Sequence, residues 1–393
     1  MRSVVIAGAR PNFVKVAPLL RALEAGGSQP LLVHTGQHYD SSMSDALFRD
    51  LDIPAPDVNL GVGSGTHASQ TATVMTTFEQ WLEENQADQV VTVGDVNSTL
   101  ACTLVAVKRG VPVAHVEAGL RSFDRSMPEE VNRLVVDALA TWLFTPSIDA
   151  NENLLAEGVD PTRIFLVGNI MVDSLLASLE KARSSQIRRA LDLEGRFGLV
   201  TLHRPALVDA PVALAGVVSA LHDIASELPL VFPVHPRTRK RMEENGIAVD
   251  PRVVRLVEPL GYLDFLLLEA EASLVLTDSG GIQEETTILG VPCLTLRENT
   301  ERPITITHGT NTLVGLDPDA IRHAADLVLR GTARPSAPPL WDGRTAERIA
   351  SILLRGTPEV SWLPPSRDAP APGGSEKTPS DGQTPIGPKS THG

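Results

Sequence analysis

The chain consists of short apolar segments, rich in β-branched residues, that alternate with helix-length amphipathic segments. Near-continuous apolar strands separated by helices predict a parallel β-sheet covered on both faces, because the crossover helices shield the sheet from water. The first half contains five candidate strands: SVVIAG (3–8), PLLVHTG (30–36), QVVTVGD (89–95), VPVAHVEAG (111–119) and WLFTPS (142–147).

The same pattern restarts in the second half with further candidate strands at 164–169, 197–204, 229–236, 253–260, 273–281 and 292–298. We therefore predict an α/β protein of two doubly wound, Rossmann-like domains, with a hinge near 169–195, where charged helical sequence interrupts the strands. The predicted domains are 1–170 and 171–342, and an amphipathic helix over 343–356 is expected to pack back on the first. Residues 362–393 are dominated by Pro, Gly, Ser and charge, which predicts a disordered tail.

The composition argues against several classes of partner. The 393 residues carry a formal net charge of −14 and a pI near 5.2, which disfavours nucleic acid and anionic membranes as partners. The two cysteines, Cys102 and Cys293, lie in apolar segments and indicate buried thiols in a reducing compartment. The apolar run in MRSVVIAGARP is too short for a signal peptide or a membrane span, so we expect a cytoplasmic protein.

Ionisable and glycine-rich stretches follow almost every predicted strand. In open parallel sheets, ligands bind beyond the carboxyl ends of the strands, so these stretches form the candidate site. In the first half they carry Arg10, Lys15, Asp95 and Glu117. The stretch HVEAGLRSFDRSMPEEVNR (115–133) adds Glu129 and Arg133. Such a cluster fits exposed surface charge, a structural salt-bridge network, or the acid–base half of an active site.

The second half offers a candidate anion site in TDSGGIQEE (277–285). Two glycines between a strand and a helix let backbone N–H groups approach an anion, and the helix dipole adds about half a positive charge there. Ser279 can add a hydroxyl group, and Glu285 can accept hydrogen bonds from ribose hydroxyls. The alternative is an ordinary strand–turn–helix in which Ser279 caps the helix.

Two His-Arg pairs, at 203–204 and 235–237, also stand at strand ends. A single histidine there is more often structural, but two pairs in corresponding places favour contacts to an anion or a sugar. The sequence has no H-E-x-x-H or Cys/His cluster for a metal, no G-x-S-x-G elbow and no Walker loop. The first turn, GARPNFVK, lacks the G-x-G-x-x-G pattern of a dinucleotide site.

Taken in order, these stretches resemble the non-hydrolysing UDP-N-acetylglucosamine 2-epimerase family over residues 1 to about 360. The motifs that carry the resemblance are GARPNFVKVAP, TGQHYD, GDVNSTLA, HVEAGLRS, MPEEVNR, VGN, TLHRP, PVHPRT, EPLGY, DSGGIQEE, GVPCLTLRENTERP and GTN. The resemblance implies a two-domain glycosyltransferase B fold that binds a UDP-sugar in the interdomain cleft, usually as a homodimer. It also implies reversible C2 epimerisation of UDP-N-acetylglucosamine to UDP-N-acetylmannosamine.

The chemistry of that reaction explains the carboxylates. The C2 proton has no neighbouring carbonyl, so its direct removal would leave an unstabilised carbanion. Transient oxidation would need a nicotinamide, but neither Tyr39 nor Tyr262 is followed by Lys four residues later, as in short-chain dehydrogenase-type epimerases. The remaining route eliminates UDP to a glycal and re-adds it after C2 is reprotonated on the opposite face. It uses carboxylates for proton transfer and cations and N–H donors for the diphosphate, with no cofactor or metal.

The resemblance assigns roles residue by residue, although which carboxylate takes the C2 proton stays open. The candidate catalytic residues are Asp95, Glu117, Glu129 and His203. The candidate contacts to the substrate and UDP are Arg10, Lys15, Arg133, His235, Ser279, Gly280, Gly281, Glu285 and Arg302. The candidate residues of a regulatory UDP-sugar site are Gln37, His38 and Gln70.

Some positions depart from the family pattern and leave the substrate open. Ala206 and Leu207 stand where many members have Glu-Asn, and Ile304 stands where Glu is frequent. The stretch TGQHYDSSMSDALF resembles an archaeal branch and relatives that act on UDP-2,3-diacetamido-glucuronic acid. The alternatives are therefore that substrate, a hydrolysing epimerase that releases UDP and N-acetylmannosamine, and a retaining glycosyltransferase on the same fold.

Overall fold

The computed structural model describes residues 1–36, 53–331 and 337–355, which contain two parallel β-sheets covered by helices. The first sheet has the strand order β3-β2-β1-β4-β5-β6-β7. Its strands are β1 (Ser3–Ala7), β2 (Leu31–His34), β3 (Val58–Asn59), β4 (Gln89–Val93), β5 (Val113–Val116), β6 (Trp142–Thr145) and β7 (Ile164–Leu166). The central strands β1 and β4 are buried along their whole length, as the near-continuous apolar sequence predicts.

The second sheet repeats this arrangement with the order β10-β9-β8-β11-β12-β13. Its strands are β8 (Gly198–Thr201), β9 (Leu230–Pro233), β10 (Val254–Val257), β11 (Leu274–Thr277), β12 (Cys293–Thr295) and β13 (Asn311–Leu313). Two Rossmann-like sheets of the glycosyltransferase B type are therefore confirmed.

The strand pattern was ambiguous in one assignment and incomplete in two. The sequence rhythm counts 164–169 with the second series of strands, although the predicted first domain, 1–170, includes it. Ile164–Leu166 is the edge strand of the first sheet and pairs with β6. The short strands β3 and β13 were not predicted, because Val58–Asn59 and Asn311–Leu313 do not stand in an apolar run that was recognised as a strand.

The helices cross from strand to strand on both faces of each sheet. Around the first sheet they are α1 (Arg10–Ala25), α2 (His67–Glu84), α3 (Asn97–Lys108), α4 (Pro128–Leu139), α5 (Ile148–Ala156) and α6 (Ile170–Ala182). From the hinge onward they are α7 (Ile187–Ala190), α8 (Pro205–Val208), α9 (Pro211–Ala225), α10 (Pro236–Glu244), α11 (Tyr262–Glu271), α12 (Gly280–Leu289), α13 (Ile304–Thr307), α14 (Pro318–Arg330) and α15 (Thr345–Arg355). Within the described ranges, no helix is both long and apolar enough to cross a membrane.

The last helix, α15, packs on the first sheet rather than on the second, which precedes it in sequence. Ile349 and Leu353 of α15 share a buried core with Phe13 and Leu19 of α1. The start of α15 is held by Asp173 of α6, whose carboxylate accepts hydrogen bonds from the backbone N–H groups of Thr345 and Ala346 at 3.2 and 2.7 Å. The tail predicted over 362–393 lies outside the described residues.

The strand order also identifies where a ligand site can form. In the first sheet the order in which successive strands are added reverses between the parallel neighbours β1 and β4, and in the second between β8 and β11. At such a switch point the connections leave in opposite directions and open a crevice beyond the carboxyl ends of the strands. The segments that follow these four strands are those rich in ionisable and glycine residues.

Candidate active site

Glu117 is the centre of an ion-pair cluster that joins the two halves of the chain. It follows β5 and is 8% exposed. Lys15, from α1, pairs with its Oε2 atom, and Arg302, which follows β12, donates from Nη2 to its Oε1 atom at 2.8 Å. The Nε atom of Arg302 lies 2.6 Å from Oε1 of Glu284 on α12. A carboxylate at the edge of the first sheet is thus held by a cation from the second.

The backbone at Glu117 adopts a left-handed conformation, with φ of 75°. The N–H groups of Glu117 and Ala118 both donate to the carbonyl of Phe144 in β6, at 3.0 Å, and this shared acceptor holds the turn. Left-handed backbone is costly for a residue with a Cβ atom and persists where the surrounding structure enforces it, often at functional sites. The strain directs the carboxylate of Glu117 towards Lys15 and Arg302.

The surroundings of Glu117 and Glu284 shift the pKa values of these two carboxyl groups in opposite directions. Burial alone would raise the pKa of Glu117, but the attraction of Lys15 and Arg302 lowers it overall. Burial raises the pKa of Glu284, against the attraction of Arg302. Burial would lower the pKa of Arg302, but Glu284 and Glu117 raise it. Glu117 is therefore the ionised acceptor of the cluster, and Glu284 holds a proton more readily.

Asn12 and Gly94 determine the position of the Lys15 side chain. Asn12, buried in the first turn of α1, accepts from two backbone N–H groups before the helix and donates to the carbonyl of Val93 at 2.9 Å. This ties the helix to the end of β4. At Gly94, where φ is 70°, a Cβ atom would lie 3.3 Å from Nζ of Lys15 and 3.5 Å from Oε2 of Glu117. A side chain at position 94 would crowd this ion pair.

Asp95 and Arg133 form a second pair next to this cluster. Nη1 of Arg133, from α4, pairs with Oδ2 of Asp95, and Nε of Arg133 donates to Oε2 of Glu130 at 2.9 Å. Glu130 is buried and also accepts the backbone N–H groups of Ser122 and Phe123, each at 3.0 Å. About a third of the Asp95 side chain is exposed. Glu130 thus fixes Arg133, and Asp95 is the carboxylate that faces outward.

Asp95 and Glu129 line a cavity of about 320 Å³ beside the carboxyl end of β4. Gln70 reaches the same cavity from α2 and accepts a hydrogen bond from Nδ2 of Asn97 at 2.8 Å. Asn132 donates to the carbonyl of Asp95 at 2.8 Å. The cavity is therefore lined by a ring of amides and two carboxylates, a set that suits the hydroxyl and amide groups of a sugar.

In the second half, Asp278 orients His203 after β8. Its buried carboxylate accepts the backbone N–H groups of His203 and Arg204 at 2.9 and 2.8 Å, and Oδ1 lies 3.0 Å from Nδ1 of the His203 ring. The His203 side chain is 43% exposed. A carboxylate on Nδ1 leaves Nε2 of the ring facing outward, where it can bind an anion or exchange a proton.

His235 stands beside His203 but is also engaged in the backbone. Its Nδ1 atom accepts the N–H group of Arg237 at 3.2 Å and so caps α10, and its ring lies 6.3 Å from the His203 ring, centroid to centroid. Burial lowers the pKa of His235, and the neighbouring His203 and Arg237 lower it further. His235 is thus a neutral ring with a capping role.

The start of α12 is the predicted anion cradle. Ser279 occupies the N-cap position, as the ordinary strand–turn–helix alternative predicts, but its hydroxyl makes no capping hydrogen bond. A Cβ atom at Gly280 would lie 3.8 Å from Nη2 of Arg204, and one at Gly281 would meet nothing within 4 Å. Backbone N–H groups, a hydroxyl and a guanidinium thus lie near the helix start and can bind an anion, although the carboxylate of Glu301, which pairs with Arg204, also lies 3.9 Å from the Cβ position at Gly280.

Glu285, one turn further along α12, forms a buried pair of carboxyl groups with Glu269 of α11. Burial raises the pKa of Glu285 to about 7, and it raises the pKa of Glu269 further, with the charge and hydrogen bond of Glu285 as additional causes. Glu269 is fully buried. Glu269 therefore holds a proton more readily than Glu285, which leaves Glu285 as the better acceptor of the pair.

The predicted site residues thus fall into two groups that Arg302 connects. The group beyond the first sheet consists of Lys15, Gln70, Asp95, Glu117, Glu129 and Arg133. The group beyond the second sheet consists of His203, His235, Ser279, Gly280, Gly281, Glu285 and Arg302. The side chain of Arg10, together with Gln37 and His38, lies outside the described residues.

The sequence analysis missed three supporting residues: Asn12, Asp278 and Glu284. Asn12 and Glu284 stand inside motifs that were recognised, and Asp278 directly precedes Ser279. The signal that could have found Asp278 and Glu284 is the same one that selected the other carboxylates, a position at the carboxyl end of a strand or in the helix that follows it. Across the described ranges, no three His, Cys, Asp or Glu side chains group as a metal site.

Comparison with known proteins agrees with this geometry. Residues 21–354 match the family model described as UDP-N-acetylglucosamine 2-epimerase. The chain is 42% identical over 365 residues to the UDP-N-acetylglucosamine 2-epimerase of Methanocaldococcus jannaschii, which covers 91% of this chain and 100% of that relative. It is 39% identical to the UDP-2,3-diacetamido-2,3-dideoxy-D-glucuronate 2-epimerase of Pseudomonas aeruginosa, over 90% of this chain and 100% of the relative.

The solved structures agree as well. The crystal structure of the M. jannaschii UDP-GlcNAc 2-epimerase in complex with UDP-GlcNAc and UDP superposes with a TM-score of 0.83 at 42% identity, over 91% of this chain and 100% of that one. The family model covers the second sheet, most strands of the first sheet, and both Glu117 and Arg302 of the ion-pair cluster. On this evidence the chain belongs to the UDP-N-acetylglucosamine 2-epimerase family.

Proposed function

We propose that this protein interconverts UDP-N-acetylglucosamine and UDP-N-acetylmannosamine by eliminating UDP to a glycal and re-adding it after reprotonation at C2. The observation that carries the proposal is the Glu117 cluster. A buried, ionised carboxylate on a strained turn is held between Lys15 and Arg302, at the point where residues of both sheets meet. Such a carboxylate is a suitable group for proton transfer at C2.

The second half supplies what the departing diphosphate needs. In the proposed complex, the diphosphate binds at the start of α12 near Ser279 and Gly280, with Arg204 and the His203 ring beside it. The Glu285 carboxyl group accepts hydrogen bonds from the ribose hydroxyls. These donors stabilise negative charge as it develops on UDP, which favours breaking the C1–O bond.

The groups on the first half then act on the sugar. Asp95 and Glu129 border the cavity and can hydrogen-bond the sugar or take part in the second proton transfer on the opposite face. Arg10 is assigned to the substrate by its motif alone. Gln70, with Gln37 and His38, is proposed to belong to a regulatory UDP-sugar site. No nicotinamide is required, because the elimination route avoids both oxidation and an unstabilised carbanion.

The proposal extends to domain organisation and assembly. We take 1–170 and 171–342 as the two domains that close on the UDP-sugar, and we expect a cytoplasmic homodimer, as the family resemblance implies. Size-exclusion chromatography with light scattering on the full chain measures the mass directly, and a monomer at micromolar concentration would contradict the dimer.

The reaction is tested by incubation with UDP-N-acetylglucosamine in D2O. Elimination predicts UDP-N-acetylmannosamine with deuterium at C2 and partial deuteration of recovered substrate. Free UDP with N-acetylmannosamine as the end products would instead indicate a hydrolysing epimerase. Retention of the C2 proton, with turnover only when an acceptor is added, would indicate a glycosyltransferase. Epimerised product without exchange at C2 would refute the elimination route.

A second candidate substrate is UDP-2,3-diacetamido-glucuronic acid, favoured by the 39% identity to the Pseudomonas aeruginosa enzyme named for that sugar. It demands the same proton transfers and differs at C3 and C6. Parallel assays with both UDP-sugars decide between them, since the true substrate is expected to have the higher kcat/KM.

A further inference from the structure

His115 is a fully buried histidine whose ring makes two close contacts beneath the Glu117 turn. It lies in β5 and is 0% exposed. Its Nδ1 atom lies 2.6 Å from Oδ1 of Asp137 on α4, and its Nε2 atom lies 2.9 Å from the carbonyl oxygen of Gly94. Both ring nitrogens therefore face oxygen atoms.

Those two oxygens determine which protons the ring carries. A backbone carbonyl can only accept, so Nε2 must bear a hydrogen. The Asp137 carboxylate also accepts from Nη1 of Arg121 at 2.7 Å and from the N–H of Gly119 at 3.0 Å. Burial would raise the pKa of Asp137, but the neighbouring cations lower it. Independently of His115, the Arg121 guanidinium and the Gly119 N–H group both donate to Oδ2, which favours the ionised carboxylate and makes it likewise an acceptor. Both ring nitrogens must donate, and a ring with two N–H groups is an imidazolium cation.

The surrounding charges support this state. Arg121 pairs with Asp137 and also with both oxygens of Glu157, at 2.7 Å each. The Glu157 side chain is 35% exposed, so water solvates part of its charge. The buried Asp137 carboxylate therefore faces both His115 and Arg121, and Glu117 is a second carboxylate that interacts with His115. A cationic ring at position 115 is favoured by both of these anions.

His222 provides an internal contrast. Its Nδ1 atom lies 2.9 Å from the carbonyl of Val218, and its Nε2 atom accepts the backbone N–H of Asp250 at 2.9 Å. One nitrogen donates and the other accepts, so this ring is neutral. The same bonding rule thus gives opposite charges for two histidines of one chain.

The contact to Gly94 links the His115 ring to the reacting groups. Gly94 also donates its N–H to the carbonyl of Val116 at 3.1 Å, so the end of β4 is fastened to β5 by two hydrogen bonds. The Cα atom of Gly94 faces the pair of Lys15 and Glu117, and Asp95 follows directly. Any movement of this turn would displace the ion pair and the Asp95 carboxylate together.

We propose that His115, as an imidazolium that donates from both ring nitrogens, acts as a positioning residue and holds the Gly94 turn beneath the Lys15–Glu117 pair in the geometry for proton transfer. The proposal rests on the proposed function for its catalytic consequence, but the charge on the ring does not. The ring is shielded from substrate by the turn it supports, so its effect is expected on kcat rather than on substrate binding.

The protonation state is tested on the full chain labelled with ¹⁵N-histidine, by NMR near neutral pH, where the nitrogen shifts distinguish a ring with one N–H group from a ring with two. The His115 signal is assigned by its disappearance in His115→Gln, and it is expected to show two protonated ring nitrogens. The signal should persist in His203→Gln, which removes another histidine that lies beside an aspartate. A His115 ring with a single protonated nitrogen would overturn the proposal, whatever the activity.

The positioning role is tested by comparing His115→Gln with His222→Gln. A glutamine at 115 has a single nitrogen and cannot hold Asp137 and Gly94 at once. We expect kcat to fall by about 10- to 100-fold with KM within about threefold, the effect of a small misplacement of reacting groups. His222→Gln should leave both constants unchanged.

Two outcomes separate the possible failures. Equal kcat values in folded His115→Gln and wild type would overturn the positioning role. Should His115→Gln fail to fold, Asp137→Asn carries the same test, since it removes the charge that retains the imidazolium, and it should lower kcat and abolish the NMR signal together. Wild-type protein without C2 exchange on either UDP-sugar would refute the proposed function while the NMR result stands.

Discussion

Replacing Glu117 by glutamine tests the centre of the proposed mechanism. Glutamine keeps the size of the side chain and one acceptor oxygen but cannot take a proton. Glu117→Gln also removes the negative charge that lies 2.8 Å from Arg302 and pairs with Lys15. The substitution therefore acts on the chemistry and on a buried ion pair at once, and the two effects are separable.

The cost in stability is expected to be moderate. Removing one partner of a buried ion pair typically costs about 3–5 kcal/mol. Here Arg302 retains Glu284 at 2.6 Å, and Lys15 retains the amide oxygen of the new glutamine as an acceptor. The loss should thus approach that of one charge-assisted hydrogen bond, about 1.5–3 kcal/mol in the free energy of unfolding. The protein should remain folded at room temperature.

The cost in rate is expected to be much larger. Loss of a group that transfers protons usually lowers kcat by about 10²–10⁴-fold, equivalent to about 3–5 kcal/mol in the activation free energy. UDP affinity should stay within about threefold, because the start of α12 is unchanged. Deuterium incorporation at C2 should fall in step with kcat.

The assay combines three measurements on purified protein: product formation with C2 exchange by NMR, UDP affinity by calorimetry, and urea denaturation. Glu258→Gln is the control, since the Glu258 side chain is 82% exposed and pairs with Arg239 at the surface. If Glu117→Gln retained kcat within tenfold of wild type while folded, Glu117 would not be the proton-transfer group. If UDP affinity fell in proportion to kcat, the residue would act in binding instead.

Three further predictions concern Glu285, Gly119 and Ser279. Burial raises the pKa of Glu285 from 4.5 to about 7, so the folded state retains a proton that the unfolded chain loses. The contribution of this group to stability is therefore present below about pH 4.5 and is lost as pH rises through about 7. Urea denaturation across this window should show a decline in the free energy of unfolding that Glu285→Gln flattens, and an unchanged slope in the variant would contradict the prediction. Gly119 and Gly158 both have a φ of 81°, but a Cβ atom at Gly119 would lie 2.4 Å from the carbonyl oxygen of Ala150, whereas one at Gly158 would meet no atom within 4 Å. Gly158→Ala should lower the free energy of unfolding by only about 1–2 kcal/mol, and Gly119→Ala should lower it by more. Equal losses in the two variants would refute the steric argument. Ser279→Ala should weaken UDP binding by about tenfold. It should not lower stability, because the Ser279 hydroxyl makes no capping hydrogen bond to α12. A fall in melting temperature without a change in UDP affinity would instead indicate that the hydroxyl caps the helix.

The sequence alone was sufficient for the class of fold because periodicity is a local property. Continuous apolar runs such as VPVAHVEAG identify buried parallel strands, and the polar residues that follow them identify the edge where ligands bind. The strand Ile164–Leu166 shows the limit, since its sequence fits either sheet and only its pairing with β6 assigns it. The short strands β3 and β13 lie outside the apolar runs that identified the other strands.

The residue types of the candidate site were also readable in the sequence, through their positions after strands and through the family motifs. Their partners were not. That Glu117 pairs with Arg302, 185 residues away in sequence, depends on how two sheets meet across a cleft. Likewise, the Ser174 hydroxyl donates to the carbonyl of Val14, 160 residues away in sequence, and only the folded chain brings these two groups together.

Protonation states were decided by the tertiary structure alone. His115 and His222 are the same residue type, and nothing in either neighbourhood of sequence distinguishes a cation from a neutral ring. The distinction arises because one ring faces two acceptors and the other faces an acceptor and a donor. The sequence determines which groups can carry charge and where they lie along the chain. Burial and the identity of each hydrogen-bond partner decide which of these groups are charged, because desolvation and pairing are properties of the folded interior.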